Sequence, residues 1–178
     1  MRSDTCSLQA IKTSADRGDY QDMPNQNLNS PAFQPSRLHQ IILALDSRIV
    51  ITTNFDKIYE RYCLNTSAEG FKVVTYESPS LADELRSDTR LIIKAHGNID
   101  DIQRMVFTRA EHHRIKQEFQ PFYEMLKAVF LLNTVIFIGC SFEDPDVMLL
   151  LAEVKITASS DRPHYVLVRE GSQSAFAV

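Results

Sequence analysis

The chain has 178 residues, of which 44% are hydrophobic and 24% charged, a composition that suits one globular domain with a substantial core. The formal net charge of -4 argues against a general electrostatic hold on nucleic acid or anionic lipid, and leaves only a local basic patch open. We therefore expect neither a direct nucleic-acid partner nor a membrane partner.

The cysteines and the apolar runs bear on the compartment. Cys6, Cys63 and Cys140 are odd in number and never spaced C-x-x-C, so they indicate neither a disulfide framework nor a zinc site. The N-terminus has no apolar run of signal-peptide length, and "AVFLLNTVIFIGC" is interrupted well before membrane-spanning length. We expect a cytoplasmic protein in a reducing compartment.

The first part of the chain predicts an irregular arm. Residues 16–36 are rich in Asn, Gln, Pro, Ser and Asp and show little periodicity, which is typical of a loop. We divide the chain into an irregular arm or remnant of a helical insertion at 1–35, one folded domain at 36–170, and a tail at 171–178.

The first half of the folded domain predicts alternating helices and strands. Ser36 is a candidate cap for a helix "RLHQIILAL", which is followed by a strand "RIVIT" and an amphipathic helix "FDKIYERYCL". The next strands are "KVVTY" at 72–76 and "LIIKA" at 91–95, joined by a short helix in "SLADELR" with Ser80 as its cap.

The second half continues the alternation. "MVFT" predicts a short edge strand, and "RAEHHRIKQEFQPFYEMLKAVFLL" predicts a helix interrupted near Pro121. Then follow a strand "TVIFIGC", a helix "DPDVMLLLAEV" with Asp144 at the cap and Pro145 in the first turn, and a strand "HYVLV". Short, continuously apolar strands that alternate with helices predict an α/β fold, a parallel sheet with helices on both faces.

Three segments place polar residues at the carboxyl end of a predicted strand: "TTNFD" at 52–56, "HGNIDD" at 96–101 and "GCSFEDPD" at 139–146. In a parallel sheet such ends share one edge, where α/β domains hold nucleotides. Candidate site residues that could converge there are Thr53, Asn54, Asp56, His96, Gly139 and Ser141.

Each candidate also has an ordinary structural explanation. Asn54 or Asp56 could cap the following helix, and His96 could be a hydrogen-bonded structural histidine as well as a general base. Gly139 and Ser141 could form a tight turn, or let the backbone approach a phosphate. We treat four further histidines as structural or solvent-facing: His39, His112, His113 and His164.

In their order along the chain, strand-TTNFD-helix, strand-KAHGN and strand-IGCSFEDPD-helix resemble the sirtuin superfamily, in particular the sirtuin-like domains of bacterial anti-phage defence proteins. The resemblance covers roughly residues 36–170 and implies a Rossmann-like NAD-binding domain. It implies chemistry at the bond between nicotinamide and ribose, with NAD as substrate.

The resemblance also implies roles for the candidate residues. By similarity Asn54 holds the attacking water or ribose, His96 is the base, and Asp56 contacts the nicotinamide end. Gly139 and Ser141 match a turn that holds the phosphates or the adenosine ribose. Thr53 stands where many sirtuins carry glutamine, so its contact with the cofactor is the least defined of the set.

Two departures from the family pattern narrow the function. Between Cys63 and Cys140 there is no cysteine, so the zinc module of deacylating sirtuins is absent and no metal is expected. The glycine-rich loop G-A-G-x-S is also missing, because Gly18 is the only glycine before Gly70. We therefore expect that the first β-α unit is lacking. The chain would then be either a fragment that begins downstream of the loop or a truncated paralogue that has lost the reaction.

The expected function is an NAD hydrolase, producing nicotinamide and ADP-ribose, as the effector domain of an anti-phage defence system. One alternative is a catalytically incomplete module that binds NAD or ADP-ribose or mediates assembly, and another is an NAD-dependent protein deacylase. The resemblance further implies a sensor or effector domain or protein as partner, and a homo-oligomer.

Overall fold

A computed structural model describes residues 33–66, 70–139 and 163–167. The chain divides into two compact units, Met1–Phe119 and Gln120–Val178, which are described separately. Most of the predicted arm, the predicted tail and the predicted helix "DPDVMLLLAEV" lie outside the described residues. The domain boundaries therefore stay a prediction.

The first unit alternates helices with strands, as the hydrophobic pattern predicts. Its strands are all parallel and lie in the order β1, β3, β2. The elements, in chain order, are α1 Arg37–Ala44, β1 Ile49–Thr52, α2 Ile58–Thr66, β2 Phe71–Thr75, α3 Leu81–Arg86, β3 Arg90–Lys94, a 3-10 turn Ile102–Arg104, and α4 Arg109–Glu118.

The central strand β3 forms the middle of the core. Leu91, Ile92 and Ile93 are at most 1% exposed, although successive side chains of a strand point to opposite faces. Both faces of the sheet are therefore covered, which explains why this strand reads as an unbroken apolar run rather than an alternating one. The prediction of a parallel α/β sheet is confirmed.

All three strands of this sheet end at the same level. Thr52 at the end of β1 and Thr75 at the end of β2 both pair with Lys94 at the end of β3. The residues that follow each strand therefore emerge along one edge.

The helix starts predicted at Ser36 and Ser80 are present, although the Ser80 side chain accepts no capping hydrogen bond from the described amides of α3. The start predicted at Asp144 lies outside the described residues. Ser36 and Ser80 occupy the positions just before α1 and α3, and His39 Nδ1 accepts a hydrogen bond from the Ser36 amide at 2.9 Å. Thr108 begins α4 with a capping box: its Oγ1 accepts from the Glu111 amide at 3.3 Å, and Glu111 Oε2 accepts from the Thr108 amide at 2.9 Å.

The predicted edge strand "MVFT" is wrong. Residues 105–108 pair with no strand; instead Met105, 2% exposed, packs with Ile99 and Ile102 in a core cluster. Val106 makes a single backbone bond to the sheet edge, from its amide to the His96 carbonyl at 3.0 Å. These residues are apolar because they are buried in a turn next to the end of β3. A buried apolar segment does not have to be a strand.

The second unit contains α5 Gln120–Leu132 and a parallel pair of strands, β4 Ile136–Ile138 and β5 Tyr165–Leu167. The predicted helix interruption near Pro121 is confirmed, because α4 ends at Glu118 and the next residue, Phe119, has a φ of -117° and a ψ of 41°, which are not helical. His164 Nδ1 accepts a hydrogen bond from the Val135 amide at 3.2 Å, a structural role as predicted.

Candidate active site at the ends of β1 and β3

The loop after β1, residues 53–57, carries the first motif. The Asn54 amide donates to Thr52 Oγ1 at 3.1 Å, which turns the chain away from the strand. Thr53 and Asn54 are exposed, and the Asn54 side chain forms no hydrogen bond to another described residue. The structure therefore shows no helix-capping bond from Asn54, whose amide group faces solvent.

Asp56 has a local role in the same loop. Its Oδ1 accepts a hydrogen bond from the amide of Ile58, the first residue of α2, at 2.9 Å. A short acceptor at this position satisfies an amide that the helix itself leaves unpaired. The capping alternative thus holds for Asp56, and its contact with a ligand stays a prediction.

The loop after β3, residues 95–101, begins with a turn that only glycine fits. The Ala95 amide donates to the Thr52 carbonyl at 2.9 Å, which adds a backbone hydrogen bond between the ends of β1 and β3. Gly97 follows with φ of +91°, and a Cβ there would lie 2.6 Å from the Arg104 carbonyl oxygen. This turn presents His96, which is half-buried, at the edge of the sheet.

The register brings the two motifs together. Thr52 pairs with Lys94, so Asn54 and His96 each lie two residues beyond the same paired position on neighbouring strands. The loops are also bonded directly, by the Ile99 amide to the Phe55 carbonyl at 3.2 Å. A second link is an ion pair between the Lys57 ammonium and the Asp100 carboxylate at 2.5 Å.

The third motif is described only at its start. Gly139 follows β4 in the second unit with φ of +66°, a conformation that favours glycine. Ser141 lies outside the described residues, and the phosphate-binding role predicted for these two positions stays a prediction.

His112 is a neighbour of His96 that sequence reasoning missed. The two rings meet edge to face, with centroids 4.6 Å apart and planes at 84°. His112 is half-buried, whereas the adjacent His113 is exposed. The Thr108 capping box sets the start of α4 in sequence, but no local signal shows which face of that helix meets β3.

Lys94 was missed as well. It is the last residue of β3 and is 0% exposed, and its Nζ donates to the carbonyl oxygens of Phe55 at 2.9 Å and Asp56 at 2.5 Å. It also pairs with Glu60 Oε1 of α2 at 2.6 Å. The only sequence signal was a lysine that ends an otherwise apolar strand.

Burial raises the pKa values of two other side chains of the first unit, Cys63 and Tyr76. Burial raises the pKa of the Cys63 thiol, which is 0% exposed, so this cysteine is a small core side chain and not a nucleophile. Burial, with the charge of Glu77 adding to it, raises the pKa of Tyr76 to about 12. The Tyr76 hydroxyl donates to the Arg104 carbonyl at 2.8 Å, the same carbonyl that faces Gly97.

Within residues 33–66, 70–139 and 163–167, no group of three or more His, Cys, Asp or Glu side chains is arranged to hold a metal ion. No helix in that part of the chain is both long enough and apolar enough to cross a membrane. A cavity of about 200 Å³ beside α2 has neither Asn54 nor His96 in its lining, which consists of Phe33, Gln34, Pro35, Ile58, Arg61, Tyr62 and Asn65.

A parallel sheet whose adjacent strand ends carry polar loops defines an α/β domain of the Rossmann-like class. Residues 48–177 match the family model described as SIR2-like domain, and the chain belongs to that family. The resemblance predicted from the three motifs is confirmed at the level of the family.

Similar proteins include bacterial enzymes and a defence protein. The chain is 30% identical over 139 residues to NAD(+) hydrolase ThsA of Enterococcus faecium, covering 76% of this chain and 28% of that protein. It is 26% identical over 148 residues to NAD(+) hydrolase ThsA of Cytobacillus dafuensis, covering 83% and 30%. It is 26% identical over 121 residues to Defense-associated sirtuin 2 of Bacillus subtilis, covering 66% and 12%. The chain thus spans less than a third of each relative's length.

Proposed function

We propose that this domain hydrolyses NAD to nicotinamide and ADP-ribose as the effector domain of a bacterial anti-phage defence protein. The observation that carries the proposal is the register of β1 and β3, in which Asn54 and His96 each follow the same paired position by two residues. The names of the relatives, NAD(+) hydrolase and Defense-associated sirtuin, support the activity and its setting.

The proposed reaction breaks the bond between the nicotinamide nitrogen and the ribose C1′. As that bond lengthens, positive charge builds on the sugar, so the site needs a held water, a base and polar groups that orient the ribose. The Asn54 amide holds the water or a ribose hydroxyl, and His96 accepts the proton when the water oxygen bonds to C1′. Nicotinamide is cationic in NAD and leaves neutral with the bonding electrons, so no general acid is needed.

The remaining candidates bind the substrate in this proposal. Asp56 contacts the nicotinamide end and Thr53, beside Asn54, contributes to binding the dinucleotide, while Gly139 and Ser141 hold the phosphates or the adenosine ribose. The product ADP-ribose and free nicotinamide are both released, and the loss of cellular NAD is the effect on the infected cell. In this proposal, the NAD hydrolase activity is regulated by a sensor or second effector domain and by self-assembly.

The test is turnover of NAD by the purified chain, with nicotinamide and ADP-ribose separated by liquid chromatography. We expect Asn54→Ala and His96→Ala each to lower kcat/KM by about 100-fold or more, the usual contribution of a positioned base or water-binding group. His113→Ala is the matched control, because His113 is exposed and outside the two loops. Unchanged turnover in both site variants would end the assignment.

Two further measurements on the purified chain test the alternatives, a binding module and a protein deacylase. Binding of NAD or ADP-ribose in calorimetry, without turnover, would identify a binding module. An acetyl-lysine peptide that accelerates NAD consumption and yields acetylated ADP-ribose would identify a deacylase.

A further inference from the structure

The side-chain ammonium of Lys94 is buried at a position where an apolar group is usual. It lies at the end of the central strand with no exposed surface, beneath the loop that carries Asn54. Burying a charge costs several kcal/mol even after relaxation of the surroundings, and a buried ion pair often gives no more stability than a well-packed apolar pair. The contacts of Lys94 therefore bear more on the position of the neighbouring loops than on the stability of the fold.

Those contacts converge on the loop after β1. Nζ donates to the carbonyl oxygens of Phe55 at 2.9 Å and Asp56 at 2.5 Å, the two residues that follow Asn54. A weaker contact, at 3.4 Å, reaches Oδ1 of Asn98 in the loop after β3. One side chain thus holds the backbone beside Asn54, while its own backbone lies two residues before His96.

Glu60 supplies the balancing charge. Its Oε1 lies 2.6 Å from Lys94 Nζ, and this buried oxygen has no other partner among the described residues, so the ion pair is its compensation. Glu60 lies in the first turn of α2 and is 8% exposed. The carboxylate lies against the ammonium, whose nitrogen also donates to the two carbonyl oxygens.

We propose that Lys94 is a positioning residue for the reaction assigned to Asn54 and His96, acting by anchoring the backbone at Phe55 and Asp56. The inference rests on the proposed function and adds a residue that touches neither the substrate nor the reacting atoms. A shift of about 1 Å in a reacting group can cost on the order of 100-fold in rate, which is the scale of effect that such an anchor controls.

The experiment replaces the ion pair by apolar groups of similar size. Lys94→Met alone leaves the Glu60 carboxylate buried without a partner and is expected to be unstable. The double variant Lys94→Met/Glu60→Leu removes both charges, and we expect its urea unfolding midpoint to stay near that of the parent. We expect its kcat to fall by about 10- to 100-fold with little change in KM, because positioning is lost while binding groups remain.

Hydrogen exchange supplies a readout that does not depend on NAD. We expect the amides of residues 54–58 and of Ile99 to exchange at least about 10-fold faster in the double variant, with Ile92 and Ile93 unchanged. Lys72→Met/Glu84→Leu is the matched control, since this strand-to-helix ion pair lies outside the two loops and is partly exposed. It should change neither turnover nor loop exchange.

The outcomes distinguish this proposal from the proposed function. A folded double variant with parental loop exchange and parental kcat would overturn the role of Lys94, and so would faster exchange with unchanged kcat. Faster loop exchange in a chain whose parent shows no NAD turnover would support the anchor and contradict the proposed function instead. If that double variant does not fold, Lys94→Met/Glu60→Gln, which also removes both charges and keeps the shape of the Glu60 side chain, provides the same readouts.

Discussion

At the scale of single residues, the site depends on side chains whose partners are distant in sequence. His96 is a general-base candidate from its chemistry, and its ring makes an edge-to-face contact with His112 of α4. Gly97 is required because the Arg104 carbonyl occupies the space of a side chain. Both contacts are made with residues in other elements.

The contact between the two imidazole rings can be tested by substitution. An edge-to-face aromatic pair contributes roughly 0.5 to 1.5 kcal/mol, so we expect His112→Ala to lower kcat by about 3- to 10-fold. His112→Phe keeps a ring in contact with His96 and should restore most of the rate, measured as nicotinamide release. Equal losses in the two variants would mean that a property of the imidazole other than its ring contact is needed.

Substitution at Gly97 should destabilise the first unit. In Gly97→Ala the Cβ meets backbone at 2.6 Å, with φ of +91°, and we expect a loss of about 2 to 4 kcal/mol in the free energy of unfolding. Urea unfolding followed by circular dichroism measures the loss. Gly70→Ala is the control, because nothing lies within 4 Å of a Cβ there; similar losses at both positions would contradict the crowding argument.

At the scale of elements, the three strand ends are held as one surface by bonds between loops. The Tyr76 hydroxyl, just after β2, donates to Arg104 at the end of the 3-10 turn, and that turn supports Gly97 after β3. Lys94 ties the loop after β1 to the same edge. Each strand end therefore depends on a neighbouring loop for its shape.

This arrangement predicts a dependence of stability on alkaline pH. The pKa of Tyr76 is raised to about 12 in the folded chain, against roughly 10 for an unfolded tyrosine. Between these values the unfolded chain loses the proton and the folded chain keeps it, so stability is full below pH 10 and falls as pH rises towards 12.

Tyr76→Phe tests this contribution. The variant loses the bond to Arg104, which costs about 1 kcal/mol at neutral pH, and its unfolding free energy should fall less steeply from pH 10 to 11.5. Urea titrations at several pH values give the difference between parent and variant, in which other titrating groups cancel. Parallel curves would show that the Tyr76 phenol does not contribute to the slope.

At the scale of the whole molecule, the pattern of short apolar strands and amphipathic helices predicts the α/β class and most element positions to within a few residues. The order of the three motifs predicts the family, which the match over residues 48–177 confirms. The segment "MVFT" shows where such prediction stops, because a buried turn and an edge strand require the same apolar composition. The candidate site residues in the first two motifs could be named from the sequence and their roles stay a prediction, while their structural partners could not be named.

By itself, the sequence determined the parallel sheet, the helix starts and the identity of Asn54 and His96 as candidates, because periodicity and strand-end polarity are local properties of the chain. Only the tertiary structure decided that β3 lies between β1 and β2, that His112 meets His96, and that the Lys94 ammonium holds the loop beside Asn54. The Lys94 contact with Phe55, for example, joins residues separated by 39 positions. Their geometry depends on how distant segments pack, which local sequence does not encode.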